Sequence, residues 1–303
     1  MKIAFFTEGV WRGCVNRNNP NMRTEMAWMC ALQADHYNIH DTPNQQYDLG
    51  VIIIPKKNPE FNIDTIKRHC KQLASMQEGP HWYFQDYPLN QQIWFYNILQ
   101  EMDFLFVHNQ IDKKYYAGLT DKQCHVMPSL MIEDSIKDLP KIERAGVMIG
   151  GNFCQWYGGF DSYITAQEFG TGIFIPSMGR KIQGEEGIPG LNHLPYMNWV
   201  QWITELNKRK YAVHLMRTHA AGTFALNCAY LGIPCIGYKG LDTQERCHAE
   251  TTIELGDITK AKQIAKKLRK DEKFYLYCSN KAKECYQEYY NEKQFIENVT
   301  NTK

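Results

Sequence analysis

This 303-residue sequence lacks several things, and each absence closes off a class of protein. It has no apolar window near the roughly 18 residues that a membrane-spanning helix needs. Neither sign of charge dominates: 34 Lys and Arg against 33 Asp and Glu leave a formal charge of +1, which argues against wholesale coating by nucleic acid but leaves room for a local basic face. The ten cysteines include no C-x-x-C and no Cys/His pair at zinc-finger spacing. No metal centre is therefore expected, and the thiols read as reduced, in a cytoplasmic protein. There is no G-x-G-x-x-G after a strand and no G-x-x-x-x-G-K-[ST], which disfavours a dinucleotide oxidoreductase and a P-loop ATPase. Repeats and low-complexity tracts are missing too. The start, MKIAFFTEGVW, is apolar but interrupted by Glu8, so it is expected to be a first strand rather than a signal peptide.

What is present is a 44% hydrophobic, aromatic-rich chain that alternates short apolar runs with helical segments. Strands are expected at 2–7, 49–55, 81–85 and 104–108, with helices at 23–34, 64–76, 90–101 and 111–119. LGVIIIP (49–55) is a continuous apolar run, suited to a strand covered on both faces. The segment EDSIKDLPKIER (133–144) is charged, contains proline and has no apolar period, so it reads as a linker. The alternation then restarts, with strands at 145–150, 172–176, 211–216 and 234–237, helices at 159–168, 198–207 and 220–230, and a helical C-terminal third. This order predicts an α/β fold: two facing Rossmann-like domains, 1–140 and 141–303, with a ligand cleft between them at the carboxyl ends of the strands.

One stretch carries the chemistry most directly. RTHAAGTFALNCAYLGIPCI (217–236) places small residues between an apolar strand and a helix, and a Gly-Ile-Pro run follows. A helix start leaves free N–H groups and a partial positive charge, so it receives anions. Ala220, Ala221 and Gly222 would let a phosphate approach the backbone. Arg217 adds a guanidinium, and Thr218 and Thr223 add hydroxyls. Tight packing of the helix on its sheet explains the small residues equally well.

The order of segments resembles that of GT-B nucleotide-sugar-dependent glycosyltransferases, with a C-terminal domain like that of family 4. The family pattern Glu-x-Phe-Gly-x-x-x-x-Glu-Ala-x-Ala-x-Gly-x-Pro-Val-Ile is matched here by His219-Ala-Ala-Gly222, Asn227-Cys-Ala-Tyr-Leu-Gly232 and Pro234-Cys-Ile236. HWYFQDYP (81–88), DFLFVHN (103–109), CHVMPSLM (124–131), VMIGGNFCQWYGG (147–159) and LDTQE (241–245) fall in the family's order, as do the final helices. The resemblance implies a hexosyl- or pentosyltransferase that uses a nucleotide sugar, a UDP-sugar foremost, as co-substrate, with no further cofactor. It implies a donor site at Asn152, Tyr157, Arg180, Arg217, Thr218, Ala221, Gly222, Thr223, Asn227 and Glu245. The family's two glutamates appear as His219 and Asn227, and its diphosphate-gripping Arg and Lys as Asn152 and Tyr157. Asp-x-Asp is missing, so the metal-bridged diphosphate site of the other large glycosyltransferase fold is unsupported.

Asp86, just past an expected strand, and His219, at the sugar-contacting position, are the catalytic candidates, with His108 a further one. Glu8, Gly9, Arg12 and Arg23 are the acceptor-side candidates, because the resemblance puts the loop after the first strand on that side. The acceptor is left open. The basic helix KAKQIAKKLRK (260–270), the arginine-bearing first loop and the composition suit a hydroxymethylated base in phage DNA, which would place the protein in the host cytoplasm. A glycan or small-molecule acceptor, a non-catalytic nucleotide-sugar binder and a UDP-sugar epimerase are the alternatives. No obligate protein partner is evident.

Overall fold

The computed structural model describes residues 1–9, 13–55, 60–177 and 184–301. Among the described residues, thirteen strands form two sheets. The first contains β1 (Ile3–Thr7), β2 (Gly13–Cys14), β3 (Asp35–Asn38), β4 (Tyr47–Ile54), β5 (Cys70–Gln77), β6 (Phe104–Val107) and β7 (Cys124–Val126), in the order β2-β3-β1-β4-β5-β6-β7. The second contains β8 (Val147–Ile149), β9 (Ile173–Ile175), β10 (Leu191–His193), β11 (Tyr211–His214), β12 (Cys235–Tyr238) and β13 (Thr252–Ile253), in the order β10-β9-β8-β11-β12-β13. Every pairing is parallel except the short β2–β3.

The first half supplies helices α1 (Glu25–Ala31), α2 (Ile63–Lys67), α3 (Leu89–Gln100) and α4 (Gln110–Thr120). The second supplies α5 (Gly159–Ala166), α6 (Trp199–Asn207), α7 (Thr223–Leu231), α8 (Asp242–Cys247), α9 (Ile258–Lys270), α10 (Glu272–Tyr289) and α11 (Glu292–Thr300). Two Rossmann-like units of this kind are the GT-B architecture that the sequence led us to expect.

Local chemistry explains the main elements. Residues Leu49 to Ile54 of β4 are all buried, because the strand lies between β1 and β5 with both faces covered. Helix α7 ends at Gly232, whose φ of +65° closes the helix, and Ile233 N–H then donates to Cys228 O at 2.8 Å.

Two expected elements are corrected. The helix at 64–76 is the short α2 followed by β5. Residues Leu73 to Gln77 are buried, and the slot between β4 and β6 overrides the helix-forming preference of Lys71, Gln72, Leu73 and Met76. With that slot filled, the expected strand at 81–85 leaves the sheet as a 3-10 turn, Tyr83–Asp86, pinned by Phe84 stacking on Phe95 at 4.5 Å.

The halves share one apolar cluster in which Phe106, Met127 and Leu130 meet Trp199, Phe224 and Phe295. Arg17 bridges Asp134 at 2.6 Å and Glu292 at 2.7 Å, tying the first loop to α11. Among the described residues, no helix is long and apolar enough to cross a membrane.

Candidate functional site

Residues just beyond β5, β6, β8 and β9, together with the last residue of β11, line one cavity of about 290 Å³. The cleft therefore sits at the carboxyl ends of strands from both sheets, where an open parallel sheet presents its loops.

Its C-terminal wall contains Thr218, Ala220, Ala221, Gly222, Thr223 and Phe224. Gly222 is the N-cap of α7, with φ +71°, and no side chain caps the helix. The first N–H groups of this nine-residue helix have no side-chain cap, and the residues that carry them line the cavity. A Cβ on Gly222 would overlap Thr243 Oγ1, and the left-handed φ is itself costly for other residues. Glycine is required here by the backbone and by Thr243, on the side away from the cleft, and not by the approach of a phosphate.

His214 lines the same wall, 7% exposed, with its ring 6.3 Å from Tyr157 and 5.0 Å from Phe224. Burial pushes its pKa down to about 4, so it is neutral at pH 7. Its Nε2 is buried without a hydrogen-bond partner among the described residues, which makes it a candidate for contact with a ligand in the cavity.

Asn227 also faces the cavity and is 2% exposed. Oriented to satisfy both ends of its amide, it accepts from Trp202 Nε1 at 3.2 Å and donates to Thr223 O at 3.3 Å. Its amide therefore braces the first turn of α7. Asn152 is buried beside the cleft, whereas its neighbour Gly151 and Tyr157 line it.

The N-terminal wall presents side chains: Arg23, Glu25, Glu78 and His108. Arg23 Nη2 donates to Met197 O at 2.7 Å, and its guanidinium lies 5.8 Å from the Tyr196 ring. His108 is buried at the end of β6 and stacks on Trp28 at 5.7 Å. Thr24, the N-cap of α1, has φ 35° and ψ −104°, a strained conformation for a β-branched residue. Trp156, from the C-terminal half, closes one end of the cleft against Trp82 at 5.6 Å and Tyr83 at 5.5 Å.

The other sequence candidates lie elsewhere. Asp86 is exposed on its 3-10 turn and is outside the cavity lining. His219 is turned away from the cleft toward Gly240, where an added Cβ would overlap its Nε2, and Ile111 and Asp112 of α4 lie nearby. Burial lowers its pKa, and Asp112 opposes that shift. Arg217 is 53% exposed and paired with Asp161 at 2.8 Å. Glu245 accepts from Gly240 N–H at 2.6 Å, at the start of α8. Gly9 N–H donates to Thr7 Oγ1 at 3.0 Å, and Asn38 holds the carbonyls of Glu8 and Gly9, so this turn is fixed by its own half. Arg12 and Arg180 fall outside the described residues.

His214, Glu25, Glu78 and Thr24 escaped sequence reasoning, whereas Trp156 was expected as an aromatic that stacks beside a flipped base. A histidine in the otherwise apolar run of β11 was the one signal available for any of them. Among the described residues, no three His, Cys, Asp or Glu side chains converge to hold a metal ion.

No protein-family model matches the chain, and no curated protein matches it by sequence. Solved structures match over its whole length. Sucrose-phosphate synthase from Thermosynechococcus elongatus superposes with a TM-score of 0.70 at 10% identity, covering 99% of this chain and 97% of that one. HepE from Anabaena, in complex with UDP and glucose, gives 0.68 at 11% identity, covering 100% and 99%. An α-glucosyltransferase in complex with UDP-glucose and DNA containing an abasic site gives 0.64 at 13% identity, covering 99% and 98%. At such identities the likeness is one of fold, and the fold of this chain is GT-B.

Proposed function

We propose that this protein is a glycosyltransferase that takes its sugar from a nucleotide-sugar donor, a UDP-sugar, held against the C-terminal wall of the cleft. The observation that carries the reading is the start of α7. That start has no side-chain cap and lies in the wall of a cavity of about 290 Å³, beside a buried histidine with an unsatisfied nitrogen. A diphosphate suits helix N–H groups and their positive end. The same-fold structures crystallised with UDP or UDP-glucose support that choice of donor.

Thr218, Ala221, Gly222, Thr223 and Tyr157 form the donor wall in this reading, Asn227 braces it, and Arg217 sits at the rim. His108 is the best-placed group to take the acceptor hydroxyl's proton or to hold the sugar, because it stands on the opposite wall. We assign the domain boundary to the strand-free stretch between Val126 and Val147. A cytoplasmic location fits ten free cysteines.

The acceptor we propose is a hydroxymethylated base in DNA. The DNA-bound glucosyltransferase of the same fold supports it, as does the lysine-rich face of α9. A second reading, a neutral polyhydroxylated acceptor such as a glycan, is favoured by the two acidic residues, Glu25 and Glu78, that line the cleft. The test is incubation with a panel of UDP-sugars and hydroxymethylated DNA, plain DNA or neutral oligosaccharides. Sugar on hydroxymethylated DNA alone supports the first acceptor, and sugar on the oligosaccharides supports the second. Failure to turn over or bind any nucleotide sugar would overturn the donor reading itself.

A further inference from the structure

The small-residue loop that precedes α7 is a thin wall between two cavities. Ala220 and Ala221 line the donor cleft on one side and a separate cavity of about 170 Å³ on the other. The second cavity is also lined by Asn109, Ser129 and Thr243, none of which lines the cleft.

These three side chains hold three consecutive carbonyls of the loop. Asn109 Nδ2 donates to Ala220 O at 3.2 Å, Ser129 Oγ donates to Ala221 O, and Thr243 Oγ1 donates to Gly222 O at 2.9 Å. No peptide bond among the described residues is cis. In a trans peptide the C=O and the following N–H point in opposite directions. Carbonyls drawn toward the second cavity therefore turn the N–H groups of Ala221, Gly222 and Thr223 toward the cleft. Among the described residues, neither Ala221 N–H nor Gly222 N–H has a partner.

Two of the three holding groups belong to the N-terminal half. Asn109 is 1% exposed and caps α4 by accepting from Asp112 N–H at 2.9 Å. Its amide also donates to Asp112 Oδ2 at 3.0 Å, and Asp112 Oδ1 lies 2.9 Å from His81 Nδ1. Ser129 is 2% exposed and follows Pro128, whose carbonyl accepts from Trp28 Nε1 at 2.9 Å. Both groups are thus anchored before they reach the loop, and α7 has no side-chain cap of its own.

We infer that Asn109 and Ser129 are positioning residues that orient the donor loop from the opposite domain, so that the N–H groups which receive the donor's phosphates are aimed only while the two halves are in contact. The inference rests on the nucleotide-sugar reading for its ligand but not for its geometry. It makes donor affinity depend on residues that touch no donor, and it couples donor binding to closure.

The test uses full-length Ser129→Ala, Ser129→Thr and Asn109→Ser, the last of which keeps a capping oxygen for α4 while removing the amide donor. Hydrogen exchange of segment 217–226 and UDP affinity by calorimetry are measured on each. We expect faster exchange and about fivefold weaker UDP binding in Ser129→Ala and Asn109→Ser, the worth of one hydrogen bond. Ser129→Thr should restore both, and in turnover the loss should fall on the donor KM rather than on kcat. Folded variants with unchanged exchange and unchanged UDP affinity would overturn the proposal. Faster exchange in variants of a wild type that binds no UDP would support the positioning and overturn the donor reading instead.

Discussion

The two walls of the cleft are built from different materials. The C-terminal wall sets the start of α7, with its small residues and no side-chain cap, among large aromatic and methionine residues and a neutral histidine. The N-terminal wall offers side chains: Arg23, Glu25, Glu78 and His108. A backbone site is fixed once the fold is fixed, and it suits a group common to many substrates, such as a diphosphate. A side-chain site changes with single substitutions and suits the partner that differs between relatives. Under the proposed transfer, the contrast puts the diphosphate on the C-terminal wall and the acceptor on the N-terminal wall.

The sharpest way to break the contrast is on the N-terminal wall. His108→Gln should lower transfer by about 10²–10⁴-fold while leaving UDP affinity unchanged, because proton handling is lost and the donor wall is not touched. Parallel kinetics and calorimetry check this, and weakened UDP binding would put His108 in the donor site.

The next largest effect should come from the backbone wall. Gly222→Val forces a β-branched residue into φ +71° and against Thr243, at a cost of about 3 kcal/mol in stability. UDP affinity should fall at least about tenfold in whatever fraction stays folded. Thermal melts and calorimetry report both.

Acid sharpens a comparison within the second half. His214 and His248 are both buried, and burial pushes both down to about 4 from an ordinary 6.5. His248 has both nitrogens engaged, with Nε2 2.9 Å from Ala225 O and Nδ1 accepting from Cys235 N–H at 3.4 Å. His214 Nε2 has no partner among the described residues. Because the unfolded chain binds the proton more readily, each histidine's stabilising effect is full above pH 6.5 and is lost as pH falls toward 4. The loss should reach about 3 kcal/mol per histidine. His214→Leu should remove about half of that slope, which denaturant melts between pH 7 and 4.5 would show. UDP should protect the wild type against acid more than it protects His214→Leu.

The smallest effect belongs to Arg217. Exposed and paired with Asp161, it should change UDP affinity less than about twofold when replaced by alanine. A tenfold loss by calorimetry would return it to the diphosphate.

Much of the fold was legible because its signals are local. The β4 run, the Gly-Ile-Pro restart after α7 and the strand–helix alternation each follow from burial or from turn chemistry. The exchange of helix for strand at 70–77 was not local, since Lys71, Gln72 and Met76 are strand residues only because β4 and β6 leave a slot for them. The site was legible as a place and much less so as a set of directions. Thr218 and the run from Ala220 to Thr223 do line the cleft, but the orientation of the loop's peptides depends on Asn109 and Ser129, which lie about a hundred residues earlier. His219 and Arg217 are neighbours of that loop in sequence, yet their side chains leave it for Gly240 and for Asp161. No periodicity records which way a loop side chain turns.

The central claim is that the start of α7 holds the donor's phosphates. Titrating isotopically labelled protein with UDP and following backbone amide resonances tests it most directly. The account predicts saturable binding with the largest shifts at Ala221, Gly222 and Thr223. Saturable binding with its largest shifts elsewhere, or no binding of UDP or a UDP-sugar, would contradict it.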